Sequence, residues 1–440
     1  MATPASAVLR GTVRIPTSKP HTQRALLMAA LADGTSTIRR PNVCSESLLL
    51  RDAVEAFGAR ITAHGDDLEV RGVAGRPERP TSVLRVAGSG FALRHLLPIA
   101  ALAAAPCVLT GERGLAARPV EPLLAALATL GCRAEPADPA LVLPIVTWST
   151  GIAGGRVVVP GSETSQFVSA LALAAPCADG PVAIRVPGEL VSHHYVRITC
   201  EMMRQFGADV SPSDDLCAIE VRPGGYRPRD TLVGPDVTSL FYFITAAVVA
   251  DTDILVEDVV LGRDLFLDTA VALGRRLGVH LAQESSALRV TSAAPPAEQV
   301  VVDATSIPTL VPALAAIASS LPNGMLLRNA RHIRNHKTSR LQVVLDELAR
   351  MGRMLHRHHR DGQLDGFETD RVGPLSTDEV DSRGDHRNFM ALWLATMAVD
   401  RPVRVRGAES LATSFPDFRD CFNALAMVSA EPDRLERSTG

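Results

Sequence analysis

EMMRQFGADV, residues 201–210, reads as the end of a helix that closes on Gly207 and turns directly into an extended run. Glycine is the expected residue just past a last helical turn, because it takes positive φ with no Cβ clash. The same arrangement recurs in AVEAFGARI (53–61), LLAALATLGCRAE (123–135), AVALGRRLGVHL (270–281) and VLDELARMGRML (344–355). The five glycines, Gly58, Gly131, Gly207, Gly278 and Gly352, stand 73, 76, 71 and 74 residues apart. A sixth step of that size reaches FRDCFNALAMV (418–428), near Leu425, where the apolar helix pattern returns without a glycine.

Six such units fill the chain. Each also carries β-rich runs, among them RVVVP, VAIRV, DILVEDV and VRVRG. Strands alternating with helices give an α/β class. The period is longer than that of an ordinary solenoid, so each unit is expected to be a small module of several strands and two helices. Three modules per domain would give two globules of similar size, with the cleft between them as the default ligand site.

The bulk numbers agree with two soluble domains. The chain has 440 residues, 46% of them hydrophobic and 21% charged, and a net charge of −3. A length of that order exceeds one ordinary core. Near-neutral charge implies no nucleic-acid partner, so any anion site must be a local cluster of arginine and lysine. Seven dispersed cysteines without a CxxC pair read as reduced thiols, not as a disulfide frame or a metal site. No leader-like or membrane-spanning run is visible, which reads as a cytoplasmic protein with no membrane partner.

Chemistry-bearing residues gather at expected helix starts. TSKPHTQRALLMAALADG places Lys19 and Arg24 at the opening of an apolar helix, AGSGFALRHLLPIAALAA places Arg94 in a first turn, and GERGLAARPVEPLLAAL sets Arg118 beside Pro119. PGSETSQFVSALALAAP brings Ser162, Thr164, Ser165 and Gln166 before a helix. RHIRNHKTSRLQVVLDELARMG and GDHRNFMALWLATMAV supply His336, Lys337, Arg340, His386 and Arg387. Helix N-termini favour anions through their unpaired N–H groups and macrodipole. Taken singly, each segment reads equally well as a capped, solvated turn. Six together point to a multiply anionic ligand. No strand–GxSxG–helix pattern surrounds Ser162 or Ser165, which argues against a hydrolase nucleophile, and no nucleotide-cofactor fingerprint follows an expected strand.

In this order, the segments resemble the enolpyruvyl transferases of the 5-enolpyruvylshikimate-3-phosphate synthase type, from RGTVRIP to TSFPDF. The pieces that carry the resemblance are SKPHTQRALLMAALADGTSTI, GLAARPVEPL, SETSQFVSALALAA and GDHRNFMAL. It implies two domains of three βα units each, with residues 1–18 and 233–440 forming one and residues 19–232 the other. It also implies a reaction: C3 of phosphoenolpyruvate is protonated while an acceptor hydroxyl attacks C2, and phosphate is then eliminated, with no cofactor or metal. By that resemblance Lys19, Arg118, Arg340 and Arg387 match phosphoenolpyruvate contacts, with Gln166 at the junction of the two substrates. Arg24, Ser162, Thr164, Ser165, Ser192 and Tyr195 match the shikimate 3-phosphate side. Arg94 and His386 join the substrate-binding set from their places at helix starts. Forked guanidiniums suit a ligand carrying both phosphate and carboxylate.

Several positions depart from the family pattern. SKSxxNR reads SKPHTQR, so Pro20 replaces a hydroxyl; the threonine turn AGT reads SGF, which sets Phe91 near the site. The catalytic acid is missing from DATSIPTLVPAL, which offers Ser306 or Thr309, with Asp303 the nearest carboxylate. The family glutamate of (K/H)ETDR is Lys337, and a lysine of TKT is Thr413. The catalytic candidates are therefore Lys19, His336, Lys337 and Asp303, with His193 and His194 as further substitutes. Acid–base groups are worth roughly 100- to 10,000-fold each. The expected activity is enolpyruvyl transfer to a hydroxyl of a phosphorylated, shikimate-like or other acceptor. The alternatives are a lyase that eliminates phosphate or water without phosphoenolpyruvate, and a non-catalytic anion-binding relative.

Overall fold

The structure, a computed structural model, describes residues 8–428 except 104, 150, 319, 336, 337, 373–375 and 400. The chain divides into two compact units, Thr17–Val233 and Met1–Pro16 with Gly234–Gly440.

In the unit Thr17–Val233 the helices are α1 (Lys19–Leu31), α2 (Ser45–Ala56), α3 (Gly90–Leu102), α4 (Glu121–Thr129), α5 (Gln166–Ala174) and α6 (His193–Gln205), with a short turn of helix at Arg113–Ala116. Three four-stranded sheets lie among them. Each is built alike. Thr35–Arg39 pairs in parallel with Asp230–Leu232 and antiparallel with Asp67–Arg71, which closes a hairpin with Arg60–His64. Cys107–Thr110 pairs in the same way with Leu84–Arg85 and Ile145–Trp148, and Val182–Arg185 with Gly155–Val158 and Ala218–Val221.

The other unit repeats the plan with α7 (Val237–Val249), α8 (Leu265–Arg276), α9 (Val311–Ala318), α10 (Arg340–Arg350), α11 (His386–Ala395) and α12 (Phe418–Val428). Its first sheet takes in the opening strand of the chain: Val8–Arg14 runs parallel to Asp251–Glu257. That pairing assigns the first strand to the second half of the sequence. The repeat is least complete at its end, where Glu379–Asp381 and Arg404–Arg406 form only a two-stranded sheet among the described residues.

The two helices of each repeat differ in kind. α1, α3 and α5 are buried around nearly their whole circumference, α1 from Thr22 to Leu31 and α3 at every residue from Ala92 to Leu102. Such a helix must lie inside the core, and its leucines and alanines form the centre of this unit's core. α2, α4 and α6 bury one face only; α2 and α6 carry charge on the other, whereas α4 exposes mainly Ala125, Ala128 and Thr129. α7, α9 and α11 are the buried members of the second unit.

The glycine period is a period of helix caps. Gly58, Gly131, Gly207, Gly278 and Gly352 have φ of 96°, 85°, 81°, 82° and 76°. At Gly58 the N–H donates to Glu55 O and the next N–H, of Ala59, reaches back to Val54 O. This double bond pattern satisfies the last carbonyls of a helix. It recurs at Gly131 with Cys132 to Leu127, and at Gly207 with Ala208 to Met203. No helix among the described residues is long and apolar enough to cross a membrane.

Candidate active site

The buried helices set their N-terminal turns where the sequence places its cations. Ser18 caps α1 by accepting from His21 N, and Pro20 opens the first turn, where its missing N–H costs nothing. Ser89 caps α3 by accepting from Ala92 N at 3.2 Å. Lys19, at the start of α1, donates to Glu46 Oε2 at 3.0 Å; Glu46 lies in the first turn of α2.

Arg24 is 2% exposed. Its Nε donates to Thr199 Oγ1 at 2.7 Å, Nη1 to Pro20 O at 3.0 Å and Nη2 to Tyr195 O at 3.3 Å. The guanidinium also packs against the rings of Phe91 and Tyr195, 5.4 and 5.7 Å from their centroids. Phe91 in turn stacks on His95 at 3.8 Å, and Tyr195 leans on His194 at 3.9 Å. Five side chains from the first two turns of α1, α3 and α6 thus form one continuous run. Burial lowers the Arg24 pKa to about 10, with Tyr195 and Cys200 acting weakly the other way. Burial, then the charge of Arg24, drives His95 well below the usual imidazole value, so it stays neutral.

Arg94, on α3, uses Nε and Nη2 to hold Pro119 O and Nη1 to hold Gln166 Oε1 at 2.8 Å. Gln166 opens α5, and Thr164 Oγ1 accepts its N–H. Arg118 lies beside Arg94 across Gly90. A Cβ built on Gly90 would come 2.7 Å from Arg118 Nη1 and 3.3 Å from Arg94 Nη1, so only glycine leaves both guanidiniums room. Burial, then repulsion from Arg118, lowers the Arg94 pKa to about 9, against weaker support from Glu163 and Glu121. Ser165 is buried and Ser162 exposed. Ser192, buried, precedes α6 in a left-handed conformation at φ 54°, and burial then Arg197 lower the pKa of His193.

In the other unit, Arg340 opens α10 and Arg387 lies in the first turn of α11. Arg340 Nε and Nη2 lie 2.9 and 2.8 Å from Asp385 Oδ2. Asp385 caps α11, its Oδ1 accepting from Arg387 N and Asn388 N. Burial alone would raise its pKa, but Arg340 and then His386 hold the carboxyl well below the usual range. Arg387 Nη1 reaches Thr309 O at 3.4 Å. His386 Nδ1 is 2.9 Å from Thr413 Oγ1, which donates to Ser410 O. Thr309 is buried, and its hydroxyl accepts from Thr238 at 3.5 Å.

Asp303 is differently placed. Its carboxylate accepts from Thr305 N at 2.9 Å and Asn329 Nδ2 at 2.7 Å, closing the turn after its strand. Burial would raise its pKa, but those bonds and Arg328 keep it below the ordinary carboxylate value. It is ionised near neutral pH and has no proton to give. His336 and Lys337 lie outside the described residues. Among the described residues no group of three or more metal-ligating side chains exists.

Glu46, Asp385 and His95 are additions that sequence reasoning missed. Glu46 was legible as an acid in a first helical turn, and Asp385 as the cap residue of GDHR. No local signal marks the packing of Phe91 on Arg24, because it joins different helices.

Comparison with known proteins identifies the family and the fold. Residues 4–422 match the family described as EPSP synthase (3-phosphoshikimate 1-carboxyvinyltransferase). A 3-phosphoshikimate 1-carboxyvinyltransferase of Halorubrum lacusprofundi is 33% identical, over 96% of this chain and 97% of that one. One from Methanothrix thermoacetophila is 34% identical, over 93% and 94%. Among solved structures, EPSP synthase from Acinetobacter baumannii superposes with a TM-score of 0.77 at 21% identity, over 96% and 97% of the two chains. The enolpyruvyl transferase NikO from Streptomyces tendae does so at 0.73 and 18%, over 96% of each. These two support the two-domain α/β fold, and the family match with the sequence relatives settles membership: the chain belongs to the EPSP synthase family.

Proposed function

We propose that the protein transfers the enolpyruvyl group of phosphoenolpyruvate to a hydroxyl of a phosphorylated, shikimate-like acceptor, in the cytoplasm. The observation that carries this reading is the Arg94–Arg118 pair at Gly90. Two guanidiniums side by side repel each other, and Arg94 is hydrogen-bonded to a backbone carbonyl and an amide instead of a carboxylate. Such a pair is preorganised for a ligand with more than one negative charge.

In the reaction, the acceptor hydroxyl adds to C2 of phosphoenolpyruvate as C3 takes a proton. The C2–O bond to phosphate then breaks as C3 returns a proton, which leaves the enol ether and inorganic phosphate. We assign charge neutralisation to Arg94, Arg118, Arg340 and Arg387, and phosphate binding on the acceptor to Ser162, Ser165, Gln166 and Ser192. Lys19, anchored by Glu46, and His386, anchored by Thr413, are the described groups suited to handle protons. Calorimetric titration with phosphoenolpyruvate tests the reading: wild type binds, and Arg94→Gln binds about 10- to 100-fold more weakly. A wild type that gives no binding, with or without acceptor, removes it.

One observation favours a second reading. Asp303 is ionised and committed to its turn, so this carboxyl does not supply the proton that C3 needs. An elimination of phosphate or water from a shikimate 3-phosphate-like substrate needs no such protonation. Turnover that is unchanged when phosphoenolpyruvate is omitted would establish it.

A further inference from the structure

The unit that holds Gly234–Gly440 carries a groove of about 750 Å³ where its helices end. α7 contributes residues 247–250, α8 residues 277 and 278, α9 residues 320–322, and α11 contributes Met397 from the turn Thr396–Ala398 that follows it. All four are C-terminal ends. α7 has 13 residues, so its two ends are about 20 Å apart, and no residue assigned to the candidate active site lines the groove. A helix end leaves its last carbonyls without an N–H and carries a partial negative charge. At α7 the Thr252 N–H, which would continue the ladder to Val248 O, goes instead to Ser292 Oγ at 3.0 Å. α7, α9 and α11 have no basic residue in the last turn to offset this pole. α8 has Arg275 and Arg276, but they donate to Leu281 O and Val301 O and stand outside the lining. Among the described residues of the lining, Asp251 alone is charged. Its pair with Arg10 is exposed at both side chains, 62% and 54%, and such a pair holds its carboxylate weakly. Ser320 adds an enclosed hydroxyl with no hydrogen-bond partner among the described residues. Between these oxygens the walls are apolar, made by Val8, Val249, Leu277, Leu321 and Met397.

We propose that this groove is a binding site for linear polyamines, separate from the site at the helix starts. An ammonium group has three donors and no acceptor, which suits a surface of carbonyl, carboxylate and hydroxyl oxygens. The methylene chain between ammonium groups covers the valine, leucine and methionine walls, as the stem of a lysine side chain does on apolar surface. Anions are disfavoured by the same helix poles that attract the amine. The inference is independent of the transferase reading, because it uses none of the residues to which that reading gives a role.

The test titrates spermidine calorimetrically into the full chain at about 0.15 M salt, where bulk charge attraction is screened. Hexanoate and 1-hexanol form separate arms that carry the chain without the ammonium. Magnesium ion at matched ionic strength tests for simple counterion attraction to a chain of net charge −3. Spermidine is expected to bind saturably at one site, and the other three probes are not. Ala293→Trp, at an exposed position of the lining, fills the groove and should weaken spermidine binding by about tenfold or more. Asp251→Asn should weaken it by about two- to fivefold, the scale of one solvent-exposed ionic contact. Thermal melts establish that both variants fold. Absence of saturable spermidine binding overturns the proposal, and so does equal binding of hexanoate, hexanol or magnesium. An affinity unchanged by Ala293→Trp overturns it as well; should that variant fail to fold, an affinity unchanged by Asp251→Asn does so.

Discussion

Arg340 and Asp385 form an ion pair with side chains 5% and 0% exposed, in which one carboxylate does two jobs with two oxygens. Oδ2 receives Arg340, and Oδ1 receives the first free N–H groups of α11. One acid thereby aims the guanidinium and fixes the start of the helix that carries His386 and Arg387. Removing one partner of a buried pair leaves an uncompensated charge. Asp385→Ala is expected to cost about 3 to 5 kcal/mol, and Asp385→Asn less, because asparagine still caps. Urea unfolding of both variants checks this. Equal losses would mean that the capping bonds add nothing beyond the ion pair.

His332 sets a pH dependence of stability. It is buried, and burial, then Arg331 and Arg334, lowers its pKa to about 4, with Asp303 acting the other way. The unfolded chain takes up this proton near pH 6.5 and the folded chain only near pH 4, so stability is lost as pH falls between the two. The contribution is about 3 kcal/mol. The stability difference between wild type and His332→Gln should therefore shrink by that amount from pH 7 to pH 4. A constant difference would show that His332 does not titrate as its burial requires.

Gly90→Ala places a methyl group 2.7 Å from Arg118 Nη1. The obstructed atom is the far end of a flexible side chain, so the fold should absorb the change within about 0.5 kcal/mol. The displaced arginine should not be absorbed so easily, since a misplacement of ~1 Å can cost about 100-fold in rate. Thermal melts and steady-state kinetics on one preparation separate the two effects. A variant with unchanged kcat/KM would show that Arg118 does not touch the ligand.

Lys19 and Glu46 divide a similar task. Lys19→Ala should lower kcat by about 100-fold or more if the ammonium handles a proton or stabilises developing charge. Glu46→Gln keeps a hydrogen-bonding partner and should shift the pH–rate profile more than it lowers the maximum. A Lys19→Ala enzyme whose KM rises while kcat holds would reduce Lys19 to a binding group.

What the sequence revealed follows from where the physics is local. Gly58, Gly131, Gly207, Gly278 and Gly352 announced the repeat because a left-handed cap admits little else, and each has positive φ. The apolar runs around Leu26, Leu97 and Leu171 announced buried helices for the same reason. Glu46 and Asp385 were weaker signals, since an acid at a helix start is an ordinary cap until its cation is known. The Arg94–Gln166 bond joins positions 72 residues apart and the Arg24–Thr199 bond 175, beyond the reach of local pattern. Asp303 looked like a catalytic acid by proximity in sequence. Its bonds to Thr305 and Asn329 explain why that carboxyl is occupied as a turn brace.

The transferase reading stands or falls on a single assay with two arms, run on purified protein and shikimate 3-phosphate with and without phosphoenolpyruvate. Phosphate release and product mass are followed together. Enolpyruvyl transfer gives phosphate and a carboxyvinyl gain in mass only when phosphoenolpyruvate is present. Equal phosphate release in both arms, with a product that has lost phosphoric acid, would make the protein a lyase on a transferase fold.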